Sequence, residues 1–375
     1  MNAVAKKPPL HLFAVCAPGL ENVLLDELKS LSVGNARAIP GGVEFTGNWS
    51  TVYRANLWLR TAGRVLRRLP AFHALTFGEL HRKVQQLGWE EFVGPGLALD
   101  IQAVSHGSRL YIKKKIAEVI QQAIGDRLRN EVEPAAGGLY VLARLAKNVC
   151  EISVDTSGEL LHKRGYRQET GRAPLRETLA AGMLLLAGYD PARPFCDPMC
   201  GAGTIAAEAA LLAMRRAPGR GRAFAFQQFP NFDAAAWEKL CATADHRALA
   251  APPAPVAAND VSESATAAAR ANFARAGLAG FISLTQRDIG EVQPADDSGL
   301  VLFNPPYGDR LARGQKLTGL YARAGAILLD RFAGWKYGVL LERESLFHEM
   351  RLPKKTTFRL TNGGKKVKLF CGGID

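Results

Sequence analysis

The 375-residue sequence has no CxxC pair; its six cysteines, Cys16, Cys150, Cys196, Cys200, Cys241 and Cys371, are scattered. That spacing excludes a zinc ribbon and a dense disulfide scaffold, and it fits a reduced, cytoplasmic setting. Cys196 and Cys200 form the closest pair, with no histidine near them, so small residues around a tight turn are expected there and no metal site. No apolar run is long enough to span a membrane. The opening, MNAVAKKPPLHLFAV, places Pro8-Pro9 directly after two lysines and does not read as a secretory signal. Acid is scarce: 35 Asp and Glu face 48 Lys and Arg, a net charge of +13. The excess points to a polyanionic partner, nucleic acid first, or to plain solubility charge. Acid is absent altogether between Glu44 and Glu79, where Arg54, Arg60, Arg64, Arg67 and Arg68 fall. That stretch is either an RNA-facing patch or a solvated face.

What is present is ordinary globular composition, 47% hydrophobic and 22% charged, in a chain too long for one typical domain. Residues 11–72 read strand, helix, two short strands around Gly41-Gly42, helix, and a fourth strand over Val65–Phe72. This is the β-α-β-β-α-β order of a ferredoxin-like unit. Residues 76–155 predict a second small α/β unit, with helices over Phe77–Leu87 and Lys113–Arg129. Lys113, Lys114 and Lys115 open the latter helix, where cations oppose the macrodipole. Phosphate contact explains them better than helix stability does. From Phe195 onward, strands and helices alternate as in a mostly parallel sheet, with ligands at its carboxyl edge. Domains are expected at 1–72, 73–160 and 161–375. One stretch interrupts the alternation: 215–254 mixes arginines with Phe224, Phe226, Phe229, Phe232 and Trp237. It either guides a flipped base or covers a small core of its own.

Two stretches carry chemistry. In Asp197-Pro198-Met199-Cys200-Gly201-Ala202-Gly203-Thr204 a strand ends at an acid and a Gly loop turns into a helix. The glycines allow close backbone approach, and the helix offers free N–H groups. As a dinucleotide fingerprint it is weak, because the next acid suited to a ribose, Asp260, lies far beyond the expected ~20 residues. A cationic amino-acid nucleoside fits better, with Asp197 holding an ammonium or a ribose. In Asn304-Pro305-Pro306-Tyr307 two prolines after an apolar strand force a stiff loop. Asn304 Oδ1 and the Pro305 carbonyl can accept both hydrogens of an exocyclic amine, and Tyr307 can stack on its ring. The alternative is a Pro-rich turn with no ligand.

DPMCGAGT resembles motif I of the class I S-adenosylmethionine (SAM) methyltransferases. Residues 76–155 diffusely resemble the THUMP domain, and LHKRGYR at 161–167 with APLRETLAA at 173–181 resembles the junction that follows it in THUMP-containing RNA methyltransferases. APGRGRAFAFQQFPNFD is similar to the matching segment in the N-terminal half of the bacterial RlmL family of rRNA guanine-N2 methyltransferases. Some of that family carry a second methyltransferase half, which this sequence does not contain. The resemblance implies ferredoxin-like and THUMP units followed by a Rossmann-like class I methyltransferase domain. It implies SAM as cofactor, contacted through Pro174, Asp197, Pro198, Met199, Gly201, Gly203, Thr204, Asp260 and Asp288. Within that set Asp260 would accept from the ribose hydroxyls and Asp288 from the adenine amine. Asn304, Pro305, Pro306 and Tyr307 would hold the target base. RNA, most simply 23S rRNA or a large-subunit precursor, would meet Arg67, Arg68, Lys113, Lys114, Lys115, Arg164 and Arg167. Alternatives are a tRNA guanine-N2 methyltransferase and a non-catalytic RNA-binding assembly factor. NPPY also serves adenine-N6 and glutamine-N5 methylation.

Overall fold

Two sheets organise the chain in the computed structural model, which describes residues 8–130, 132–168, 175–306, 314–353 and 355–375. The first sheet begins with β1 (Leu10–Cys16), α1 (Glu21–Ser30), β2 (Gly34–Ile39), β3 (Gly42–Gly47), α2 (Trp49–Trp58) and β4 (Ala62–Arg68), in the predicted order. The period-2 pattern of β1 buries Leu12, Ala14 and Cys16 on the face that also takes Leu24 and Leu28 of α1. Asn48 caps α2: its Oδ1 accepts the Thr51 N–H at 3.0 Å, and the Thr51 hydroxyl answers at the Asn48 N–H, 3.2 Å. The predicted single strand 65–72 is broken at Pro70. A ladder N–H is missing there, so β4 stops at Arg68 and β5 (Phe72–His73) starts anew.

α3 (Phe77–Gln85), β6 (Leu99–His106), α4 (Lys113–Leu128), β7 (Leu139–Ala146) and β8 (Val149–Asp155) follow. These strands do not form a sheet of their own. They extend the first one, in the order β2-β3-β1-β4-β8-β7-β6, with β5 also pairing β8. The joint is β4 against β8, with Leu66 opposite Asp155.

The second sheet is built from α5 (Glu177–Leu186), β9 (Phe195–Asp197), α6 (Thr204–Ala213), α7 (Ala234–Arg247), β10 (Val256–Asn259), α8 (Glu263–Arg275), β11 (Ile282–Thr285), β12 (Leu300–Phe303), α9 (Gly314–Arg331), β13 (Lys336–Leu341), α10 (Glu344–Met350), β14 (Thr356–Asn362) and β15 (Lys365–Gly373). Its order is β11-β10-β9-β12-β13-β15-β14. β9 to β13 pair in parallel. β15 runs against both its neighbours, so β14 points the same way as β12 and β13. All four residues of β12 are buried, as a strand covered on both faces requires. The strand order reverses between β9 and β12, which opens a crevice beyond their carboxyl ends.

α5 begins at Glu177, with Arg176 before it in extended backbone; Pro174, expected to contact SAM, lies outside the described residues. The aromatic stretch 224–237 turns inward. Phe224, Phe226, Phe229 and Trp237 are buried, and they pack on α2, with ring centroids of Tyr53 and Phe226 4.7 Å apart and of Trp49 and Phe229 5.8 Å apart. These rings are core, yet they do not form a small core of their own: they join that of the first unit through α2. No described helix is long and apolar enough to cross a membrane.

Candidate active site

Asp197 ends β9 and is 1% exposed. Its Oδ1 accepts a long bond from the Met199 N–H, 3.4 Å, while Oδ2 is buried with no partner among the described residues. Burial pushes this carboxyl well above the usual carboxylate range; the Met199 N–H opposes the shift and nearby Asp260 adds to it. A buried carboxylate in this state is short of a cation. Above it the loop turns through Gly201 and Gly203, both with positive φ (+54° and +81°). A Cβ at 203 would strike the Phe273 ring at 2.5 Å, whereas one at 201 would meet nothing within 4 Å. Open space therefore adjoins Gly201, next to the amino end of α6 that starts at Thr204. Asp197, the two glycines and the α6 N–H groups fit an ammonium-bearing amino acid.

Asp260 follows β10 and bonds back to the same loop, its Oδ2 accepting the Gly201 N–H at 2.9 Å and its Oδ1 the Ser262 N–H at 2.9 Å. Two residues that sequence reasoning missed hold this arrangement. Asn259 is buried; its Oδ1 accepts from the Thr285 hydroxyl (2.8 Å), and its Nδ2 donates to the carbonyls of Arg287 (3.0 Å) and Pro198 (3.2 Å). It ties together the ends of β9, β10 and β11. Asn272 of α8 donates to the Ala202 carbonyl at 3.0 Å. The signal in both cases was a carboxamide where the pattern demands an apolar residue.

Asp288, expected at the adenine amine, follows β11 and pairs with α9. Its Oδ1 accepts from the Gly290 N–H (2.7 Å) and Arg323 Nη2 (2.6 Å), and its Oδ2 from Arg323 Nη1 (3.1 Å). The pair is exposed to solvent, so Arg323 orients the carboxylate without using all of its acceptor sites.

Across the switch point, β12 delivers Asn304. The side chain is half-buried, and its Oδ1 is buried without a partner among the described residues. Pro305 is buried, and the Tyr321 hydroxyl of α9 donates to the Pro306 carbonyl at 3.0 Å. Tyr321 is a third residue not foreseen. Tyr307 lies outside the described residues.

The basic residues divide. Lys113, Lys114 and Lys115 are exposed, beside exposed Tyr111 and Ile112. Arg164 is not: its side chain is 3% exposed and pairs with buried Glu208, which also accepts from the Tyr166 hydroxyl at 2.8 Å. Arg167 pairs with Glu177 at 3.0 Å. Arg68 lies over the Phe13 ring (4.0 Å) and pairs with Glu44 (2.6 Å) and Glu151 (3.3 Å). Arg67 gives its Nη1 to the carbonyls of His11 and Arg68. Arg60 is buried, its pKa drawn down to about 10 by burial, and it donates to the Arg216 carbonyl at 2.6 Å. Arg164, expected to face RNA, is instead buried in an ion pair; Arg67, Arg68 and Arg167 also hold protein partners, with Arg67 and Arg68 only half-buried. Some of these partners are near in sequence, such as Glu177 for Arg167, and others far, such as Glu208 for Arg164 and Glu151 for Arg68.

Residues 164–369 match the family described as "RMKL-like, methyltransferase domain". The chain belongs to this methyltransferase family. Residues 11–66 match the RlmL ferredoxin-like domain and 74–155 the THUMP domain, so the first sheet is the joint product of those two units. Among curated relatives, the "Putative RNA methyltransferase slr0064" of Synechocystis sp. is 33% identical over 94% of this chain and 94% of its own length. The "Ribosomal RNA large subunit methyltransferase K/L" of Cellvibrio japonicus is 36% identical over 97% of this chain, which spans 51% of that relative. Among solved structures, "SMU.472, a putative methyltransferase complexed with SAH" superimposes with a TM-score of 0.91 at 30% identity, covering 98% of this chain and 99% of that one. A "predicted N6-adenine-specific DNA methylase" from Listeria monocytogenes gives 0.89 at 30%, covering 98% and 97%. Among the described residues no group of three or more His, Cys, Asp or Glu could hold a metal.

Proposed function

We propose that this family member is a SAM-dependent RNA methyltransferase that methylates the exocyclic N2 amine of a guanine in 23S rRNA, in the cytoplasm. The observation that carries the reading is a pair of buried oxygens flanking one switch point, Asp197 Oδ2 and Asn304 Oδ1, with no partner among the described residues. One calls for a cation and the other for an N–H donor, which are the groups that a SAM ammonium and a base amine bring. The K/L relatives support rRNA as substrate. The chain spans about half of their length, and a solved relative is named for adenine in DNA; the site asks for an exocyclic amine, and guanine is the base that the rRNA reading adds.

Bound in the crevice, SAM supplies an electrophilic methyl group. Asp197 Oδ2 accepts from its ammonium. Asp260, held by the Gly201 and Ser262 N–H groups, keeps lone pairs for ribose hydroxyls. Asn304 Oδ1 and the Pro305 carbonyl accept the two N–H bonds of the target amine. This turns the nitrogen lone pair out of conjugation with the purine ring and toward the methyl. These contacts strengthen as the nitrogen gains positive charge, so they act on the transition state more than on bound substrate. The proton can leave after transfer, and no strong base is required. We place the domain boundaries at 1–72, 73–160 and 161–375. The exposed lysines opening α4 serve as phosphate contacts.

The test is incubation of the purified protein with labelled SAM and undermethylated large-subunit RNA, followed by nucleoside mass spectrometry. N2-methylguanosine is expected. N6-methyladenosine, or no methylated nucleoside, contradicts the reading.

A further inference from the structure

A second concavity, of about 390 Å³, lies outside the methyl-transfer site. Its size is at the low end of the ~300–1,000 Å³ usual for ligand pockets, enough for one nucleotide but not for a folded segment. It sits where the first sheet meets the second. Arg64 of β4 and Tyr140 and Leu142 of β7 form one wall. His162 of the segment after β8, Arg176 before α5, and the β14–β15 turn at Gly363 form the others.

Position, charge and surface chemistry agree. β14 runs parallel to β12, so its turn emerges on the same edge of the second sheet as Asn304. Among the described lining residues there is no carboxylate, while two are arginines. Lys365 and Lys366, which follow the turn, are exposed as well. Arg64 is fixed by buried Asp155 and lies over the Tyr140 ring, 4.7 Å from its centroid. This makes a rigid aromatic and guanidinium platform beside Leu142, the kind of surface on which unstacked bases lie. His162 reports the local field: burial, then Arg176, Arg167, Lys163 and Arg222, push its imidazole down to about 4. An anion relieves that crowding of positive charge; a cation worsens it.

The geometry points to this cavity as the seat of a second, unpaired nucleotide of the same RNA that carries the target base. Its base lies against Tyr140 and Leu142, and its phosphate meets Arg176 and the turn at Gly363. Such a seat fixes the register of a single-stranded segment relative to Asn304, and it selects against duplex RNA. The inference rests on the RNA reading proposed above.

The test uses the full chain, a fluorescein-labelled single-stranded oligouridylate, and two variants outside the methyl-transfer site. Arg176→Glu reverses an exposed charge, and Leu142→Trp fills the cavity. Each is expected to weaken oligouridylate binding about tenfold by anisotropy, with S-adenosylhomocysteine (SAH) affinity and melting temperature unchanged. Photocrosslinks from a thiouridine-substituted strand should fall on the Tyr140 peptide, and a duplex of equal length should not compete. If Leu142→Trp does not fold, Arg176→Glu and the crosslink decide. Wild-type affinity in both variants, crosslinks confined to the lysines of α4, equal competition by duplex, or no binding by the wild type would each overturn the proposal. Cavity-dependent binding without guanine methylation would remove the proposed activity and leave this site standing. Guanine methylation with both variants binding as wild type would do the reverse.

Discussion

Asp260 Oδ2 accepts the Gly201 N–H at 2.9 Å, which bonds the end of β10 to the loop that leaves β9. One of the two acids at these strand ends is thereby satisfied from within the protein. The other, Asp197, keeps a buried oxygen with no partner among the described residues. Asp260, Asn259 and Asn272 thus hold the loop from within the protein, and Asp197 is the acid proposed to take a ligand.

Asp197→Asn should move stability and affinity in opposite directions. Because burial raises its pKa, the folded protein keeps the Asp197 proton to higher pH than the unfolded chain does. Stability without cofactor should then fall as pH rises above the ordinary carboxylate range. The variant loses that dependence, melts higher at pH 8, and binds SAH about 10–100-fold more weakly. Melting curves between about pH 5 and pH 8, with calorimetry of SAH, check both. Unchanged SAH affinity would take Asp197 out of the site.

Tyr321→Phe should leave the fold and SAH affinity intact and lower kcat. The hydroxyl holds the Pro306 carbonyl at 3.0 Å. Losing one neutral hydrogen bond costs about 1 kcal/mol, so a loss of roughly fivefold in single-turnover rate is expected. An unchanged rate would mean that Asn304 is positioned without Tyr321.

Four strands of the second sheet, Val256–Asn259, Ile282–Thr285, Leu300–Phe303 and Lys336–Leu341, coincide with apolar runs in the sequence. The three inner strands are largely buried and leave that mark, β11 at the edge less so, and turn residues bound each run. The ends that carry Asp197, Asp260 and Asn304 were legible for the same reason. α7 and α10 were not. The first lies in a stretch whose arginines and aromatics mask helical spacing, and the second has only seven residues. The union of two units in one sheet was also hidden, since β4 meets β8 through residues far apart in sequence. Arg164 failed on the same ground. Its run of basic residues reads as surface, and the buried partner, Glu208, lies within an alanine-rich helix.

Arg164→Met should be a stability variant. Removing one member of a buried ion pair typically costs about 3–5 kcal/mol. Arg164→Met with Glu208→Gln should recover part of that loss in urea titrations. Native stability in the single variant together with lost RNA binding would mean that Arg164 faces RNA.

Replacing Lys113, Lys114 and Lys115 with Gln should weaken RNA binding and flatten its salt dependence, since each phosphate contact releases counterions. SAH affinity should not change. An identical salt slope before and after would make these lysines a solvated helix start.

The central claim is that Asn304 acts on the target amine. The most direct measurement is single-turnover methylation of undermethylated large-subunit RNA by Asn304→Ala, with SAH and RNA affinities measured in parallel. The account predicts both affinities near wild type and a rate lower by about 10²–10³, as for loss of one well-placed polar contact in a transition state. A near-normal rate would contradict it and leave the loop after β12 as a structural turn.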